Sequence, residues 1–339
     1  MINPYAKVDF GTATQIKSFS HMHVNTSARL QMAYAEGYKH FCPSNYQPAK
    51  PYYPLADVFQ NVPNDILGSP NSEKVKLING GHICAVGSFH EGYGHETSVN
   101  TAWKTVFDDV LAGLQFPDAG GITLNHPDDF NTALRCEMLD HDSRVLGIEI
   151  FNNCEEHARE GYNEPYYKGW YKQYLTLWDN ILRTGRRCWG FAVTDWQDDV
   201  YLPHYGSNIL IVPEFTEYQC LKAYRDGNFY GIIKDTGLRF SRIAVSGEFN
   251  NQCSAEVNKE ATLNVYTDKG LVKSTVGQYV RYDVKQDDIF VRVEAIDNTD
   301  EDGHIFSNPI MFKTKEEVEK KSGGFERRKR LLLLNSDSI

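Results

Sequence analysis

The chain has 339 residues, 41% of them hydrophobic and 24% charged, with 26 Gly and 13 Pro; this is length for about two domains and a composition that excludes disordered, collagen-like and miniprotein classes. A formal net charge of -10 speaks against gripping a phosphate backbone, so no nucleic acid is expected as partner, although a small anionic substrate suits the chain if a bound metal supplies local positive charge. The longest aliphatic run, Leu331 to Leu334, is far below the ~20 residues of a membrane span. Seven cysteines without a C-x-x-C pair read as reduced thiols. The first ten residues lack the pattern of a secretory signal, so a cytoplasmic location is expected.

In chain order, short apolar runs rich in β-branched or aromatic residues alternate with amphipathic segments up to about residue 230, the α/β signature. Strands are expected at residues 16–21, 75–78, 83–87, 121–124, 145–151 and 188–194, and helices at 28–37, 101–115, 166–183 and 214–225. Between the first of these, residues 43–73 form a proline-rich segment carrying Tyr46, Tyr52 and Tyr53. A loop of that length belongs at the mouth of a site or packs on the rim of the fold. After residue 236 the pattern turns to period-two segments at 238–245, 262–266, 279–284, 289–296 and 309–312, which predicts a small antiparallel β-sandwich over residues 237–315. Residues 316–339, with Arg327-Arg328-Lys329-Arg330, read as a charged, solvated tail.

Several metal-capable residues stand at strand ends. His21-Met22-His23 closes the first strand, and imidazoles at i and i+2 on an extended chain point to the same side. His126 follows the strand at 121–124, and Asp195 follows the one at 188–194. Groups at the C-terminal ends of barrel strands converge in space, so these four are expected to meet at one metal and to carry catalysis. Glu73 and His82 flank a strand-turn unit and are expected to complete a second metal, with a solvated loop charge as the alternative for Glu73. His90 and His95 lie in a Gly-rich stretch as candidates for proton transfer or substrate contact. Glu149 sits mid-strand, either aimed into the site or as a hydrogen-bonded structural carboxylate. No G-x-S-x-G elbow, Walker A loop, G-x-G-x-x-G turn or H-E-x-x-H is present, which removes the serine hydrolase, P-loop, Rossmann and zincin readings.

The pieces His21-Met22-His23, Gly37-Tyr38, Glu73 with residues 82–88, Leu124-Asn125-His126-Pro127, Gly147-Ile148-Glu149 with Asn152, and Trp178-Asp179 running on to Gly190 and Asp195 resemble, in their order, the PHP (polymerase and histidinol phosphatase) family over residues 16–230. The resemblance implies a distorted seven-stranded β/α barrel over residues 1–236, one to three divalent ions (Zn, Mn or Fe) on His21, His23, Glu73, His82, His126 and Asp195, and hydrolysis of a small phosphoester by metal-activated water. Asn45, Tyr46, His95 and Gln197 are the expected substrate contacts. Two motifs depart from the family pattern: Pro43-Ser44-Asn45 replaces Thr-Asp-His, and Asp195-Trp196-Gln197 replaces Asp-x-His. Neutral side chains at these positions are weaker ligands, so fewer ions than a full set are expected. Two other readings are a degenerate barrel that binds without turnover and an amidohydrolase, which would need a bridging lysine or equivalent at a middle strand end.

Overall fold

Thr26 and Thr216 start two of the helices by accepting a hydrogen bond from the backbone N–H three residues on, as N-caps do. The computed structural model describes residues 1–154, 171–196 and 205–320. Its first part contains β1 (Thr14–Phe19), α1 (Ser27–Ala35), β2 (His40–Phe41), α2 (Leu55–Val58), β3 (Leu67–Gly68), β4 (Glu73–Lys74), β5 (Leu77–Ile78) and β6 (Ile83–Val86). Next come β7 (Thr101–Ala102), α3 (Trp103–Ala112), β8 (Gly121–Leu124), α4 (Thr132–His141), β9 (Val145–Asn152), α5 (Tyr171–Leu182) and β10 (Trp189–Val193). The remainder is β11 (Tyr205–Val212), α6 (Glu217–Asp226), β12 (Phe229–Lys234), β13 (Phe240–Ser246), β14 (Gln252–Thr267), β15 (Gly270–Asp283), β16 (Phe290–Asp297), β17 (His304–Ser307) and β18 (Ile310–Met311). None of the described helices is long and apolar enough to cross a membrane.

The inner strands are apolar on both faces because both faces are covered. In β6, Ile83 and Ala85 pack with α3 and α5, while Cys84 and Val86 face Ile16, Leu210 and Phe191 across the interior. The strands lie in an eleven-stranded sheet, ordered β13-β14-β16-β17-β12-β11-β1-β2-β3 with β15 on β14 and β18 on β16, and a five-stranded sheet, β10-β9-β8-β6-β4.

This corrects the expected closed seven-stranded β/α barrel, since among the described residues no ladder joins the two sheets. On one side the free edge of β10 is taken by side chains: the N–H of Gly190 donates to Asn308 Oδ1 and that of Ala192 to Asn208 Oδ1. An edge whose donors are already satisfied does not seek a further strand. On the other side β3 and β4 are two residues each, and the turn between them is held by Asn71, whose Nδ2 donates to the carbonyls of Ser20 and Cys42. The expected separate sandwich is corrected as well. Its strands are antiparallel, but β17 pairs with β12 through Tyr230↔Ser307 and Ile232↔Ile305, so they extend the large sheet. Tyr230 and Ile232 share one apolar cluster with Leu263, Val293 and Ile305. Two strands absent from the sequence reading, β11 and β12, supply the centre of that sheet. None of the seven cysteines forms a disulfide.

Candidate metal centre

Strand alternation turns Phe191 and Val193 of β10 into the interior, and Asp195 follows on the same parity. Where β1 and β10 end, their chains bond each other: Asp195 N donates to His21 O at 3.1 Å, and His23 N to Trp196 O at 3.0 Å. His21, His23 and Asp195 thereby come together although 172 residues separate the last two. Glu73 opens β4, His82 precedes β6 and His126 follows β8. Asp195 and His126 adopt positive φ, 48° and 21°, a region that non-glycine residues occupy where surrounding contacts hold them, often at functional sites.

All six sequence-derived ligand candidates meet here. His21 Nε2 stands 3.0 Å from Asp195 Oδ1 and 3.4 Å from Glu73 Oε1. His23 Nε2 stands 2.9 Å from Asp195 Oδ1 and 3.4 Å from Glu73 Oε2. On the far side, His82 Nδ1 and His126 Nε2 approach Glu73 Oε1 at 3.1 and 3.5 Å. Ligand atoms of His21, His23 and Glu73 lie within 4.8 Å of one another, as do those of Glu73, His82 and His126, so Glu73 is common to two candidate ion positions. His21, His23, Glu73 and Asp195 are buried, whereas the His82 side chain is 39% exposed and opens the cluster to solvent.

The donor set fits a divalent ion. His21 Nδ1 bonds Glu149 Oε1 at 2.7 Å, which leaves the buried Nε2, with no hydrogen-bond partner, aimed at two carboxylates. A lone pair facing two anions is repulsive, so either a proton or a cation stands between them. Burial depresses the His21 imidazolium, but Asp195 and the neighbouring glutamates more than offset this and hold its pKa well above the ordinary value. His126 likewise rises to about 9 against burial, chiefly through Glu73. Asp195 and Glu73 lie below the carboxylate range, burial being outweighed by the imidazoles around them. The pocket demands positive charge.

Glu149 is the residue whose role the sequence left open. It accepts from His21 Nδ1, from the backbone N–H of His126 at 2.7 Å and from Asn152 Nδ2 at 2.9 Å, and so fixes the ring orientation of one candidate ligand and the backbone of another. Asn152 also reaches Asp195 Oδ2 at 3.2 Å, and Asn125 reaches Glu73 Oε1 at the same distance. The signal for Glu149 was its place mid-strand, whereas Asn125 stood only inside the piece Leu124-Asn125-His126-Pro127, with no role of its own read for it.

The departures from the family pattern have structural employment. Ser44 Oγ accepts from Met22 N at 2.8 Å, and Asn45 Nδ2 donates to Val24 O at 2.9 Å, so both hold the segment that carries His21 and His23. Asn45 and Tyr46 line a cleft of about 380 Å³ with His23, Asn25, Arg29 and Gln47. The Tyr46 ring stands edge-on to His23 at 4.6 Å and to His95 at 4.9 Å. His95 is outside the cluster, and His90 stacks on Tyr93 instead. Gln197, residues 166–170 of the expected helix and the tail from 321 lie outside the described residues. Lys74, next to Glu73, points its ammonium at the carbonyls of Ala49 and His90 and so does not serve as a bridging lysine.

No family model and no curated protein matches the chain. Among solved structures it is similar to the crystal structure of a two-domain protein containing a predicted PHP-like metal-dependent phosphoesterase from Bacteroides vulgatus ATCC 8482, with 12% identity and a TM-score of 0.46 over 92% of this chain and 97% of that one. A likeness of that size brings no chemistry with it. The two histidine-carboxylate triads described above are what define a candidate divalent-metal site.

Proposed function

We propose that this protein is a metal-dependent hydrolase acting on a small phosphoester, with His21, His23, Glu73, His82, His126 and Asp195 as the ligands of one to three divalent ions. The observation that carries the reading is the convergence of His21 Nε2, oriented by Glu149, on Asp195 and Glu73, with Glu73 common to two histidine-carboxylate triads. The order of motifs resembling the PHP family supports the choice of phosphoester. Divalent ions held there would supply Lewis acidity that polarises the phosphoryl oxygen and acidifies water. The chain's own residues do the remaining work: Glu149 fixes the His21 ring, the buried face of the cluster excludes solvent, and Tyr46 and Asn45 border the cleft that admits the ester. Neutral side chains at Ser44 and Asn45, both engaged with the backbone, favour a second reading in which the site binds ions and a ligand without turnover.

The test is metal analysis of protein purified without chelator, followed by a phosphoester screen with Mn²⁺ or Zn²⁺ added. Bound metal with turnover is expected. Bound metal without turnover on any ester selects the second reading, and absence of both overturns the proposal.

A further inference from the structure

The two candidate ion positions are built unequally. The inner one has His21, His23 and Glu73, and Asp195 Oδ1, 3.0 and 2.9 Å from the two imidazole nitrogens, adds a fourth donor on that side. All four residues are buried. The outer one has three donors, Glu73, His82 and His126, and its His82 side chain is 39% exposed. Two imidazoles and two carboxylates balance the charge of one divalent ion at the inner position. A second ion at the outer position shares a carboxylate that the first already neutralises, and the two cations repel. A closed four-donor set retains its ion, whereas a three-donor set at an opening leaves coordination for a solvent or substrate oxygen.

Asn152, the last residue of β9 and fully buried, holds the fourth donor in place. Its Nδ2 donates to Glu149 Oε2 at 2.9 Å and to Asp195 Oδ2 at 3.2 Å. A carboxamide nitrogen carries two hydrogens, one for each carboxylate. The contacts close a ring, because Glu149 Oε1 meets His21 Nδ1 at 2.7 Å and Asp195 Oδ1 meets His21 Nε2. With Oδ2 held by the amide, Asp195 turns Oδ1 to the inner position. Glu149 serves both sides, through the His21 ring and the backbone N–H of His126, but the carboxylate that Asn152 adds is that of Asp195, beside His21 and His23.

We propose that Asn152 is a positioning residue that fixes Asp195 as a one-oxygen donor and so makes the inner position the one that retains its ion, while the outer position of Glu73, His82 and His126 exchanges its ion and is the side open to substrate. The substrate side rests on the hydrolase reading. The inequality of the two positions requires only that the site binds metal.

Calorimetric titration of the chelator-stripped full chain with Zn²⁺ is expected to resolve a tight and a weak ion. Asn152→Ala is expected to weaken the tight ion about 10–100-fold and to leave the weak one unchanged, and His82→Ala to abolish the weak ion alone. Asn152→Leu, of similar size but without the amide hydrogens, is the second variant should the first disturb folding. Equal affinities in wild type, no loss or equal loss at both ions in the Asn152 variants, or loss of both ions in His82→Ala overturns the assignment. With Co²⁺ as the metal, inorganic phosphate is expected to shift the visible spectrum only once the weak ion is bound; a shift with the tight ion alone would move the substrate side to the inner position. Unequal ions with these selective losses in a protein that hydrolyses no phosphoester would leave the role of Asn152 standing and remove the hydrolase reading, and turnover with ions of equal affinity would do the reverse.

Discussion

At the residue scale, the centre depends on carboxylates that orient histidines as much as on the histidines themselves. Glu149 touches His21, His126 and Asn152, and loss of such an outer partner lowers metal affinity about 10–100-fold. Glu149→Gln keeps the size of the side chain but removes the charge, so isothermal titration with Zn²⁺ is expected to show affinity reduced in that range at unchanged stoichiometry. An unchanged Kd would leave Glu149 a purely structural carboxylate. Glu73→Gln is expected to be more severe, because Glu73 is shared by both triads. Metal content of that variant should fall at both positions together, and loss of a single ion would show that the two positions do not share it.

At the element scale, side-chain amides decide where the sheets end. Asn308 accepts from Gly190 N and donates to the carbonyls of Gly227 and Phe229. Asn308→Ala leaves the buried N–H of Gly190 without its partner, while the carbonyls of Gly227 and Phe229 keep Phe229 N and Tyr5 OH; at about 1–3 kcal/mol for one unsatisfied group the melting temperature should drop, and a drop within error would mean that β10 finds another partner. The join after β12 is held electrostatically. Burial raises the Asp235 pKa, but Arg239 and Lys17 outweigh it and depress the carboxyl to about 2. A depressed carboxylate stabilises the fold above its unfolded value near 3.8, and that contribution, roughly 2 kcal/mol, is lost as pH falls through about 2. Chemical denaturation of wild type and Asp235→Asn should therefore differ at pH 6 and converge towards pH 2, and a constant difference would assign the stability to another group.

At the scale of the whole molecule, the chain organisation into residues 1–236, 237–315 and a tail from 316 stays a proposal, and the joint between the first two is a shared sheet. Beyond the β12–β17 ladder, Arg292 of β16 donates two hydrogen bonds to Asp179 of α5, at 2.8 and 2.9 Å, and lies over the rings of Trp178 and Tyr266. A fragment ending at residue 236 would keep every candidate metal ligand yet expose the β12 edge, Tyr230 and Ile232, and leave Asp179 without its guanidinium. Exposed edges and apolar faces associate, so size-exclusion chromatography should show self-association and a lower melting temperature while metal binding persists. A monomeric fragment melting like the full chain would show that the shared sheet contributes little.

The sequence by itself determined the residue types at strand ends: a histidine pair, a further histidine and an aspartate following apolar runs are legible because strand termini are marked by composition and turn residues. It also marked Glu73 and His82 by their place around a short strand. Which strands pair was another matter. Closure of the sheets is settled by Asn208 and Asn308, whose amides meet β10 from 16 and 118 positions away in sequence, and no local pattern announces such a contact. β11 and β12 escaped the reading because one follows residues without strand signals and the other lies next to a helix, and their pairing to β1 and β17 is long-range. For the same reason the roles of Glu149, Asn125 and Asn152 were decided only in the tertiary structure: a buried polar side chain takes its meaning from the partners that folding delivers to it.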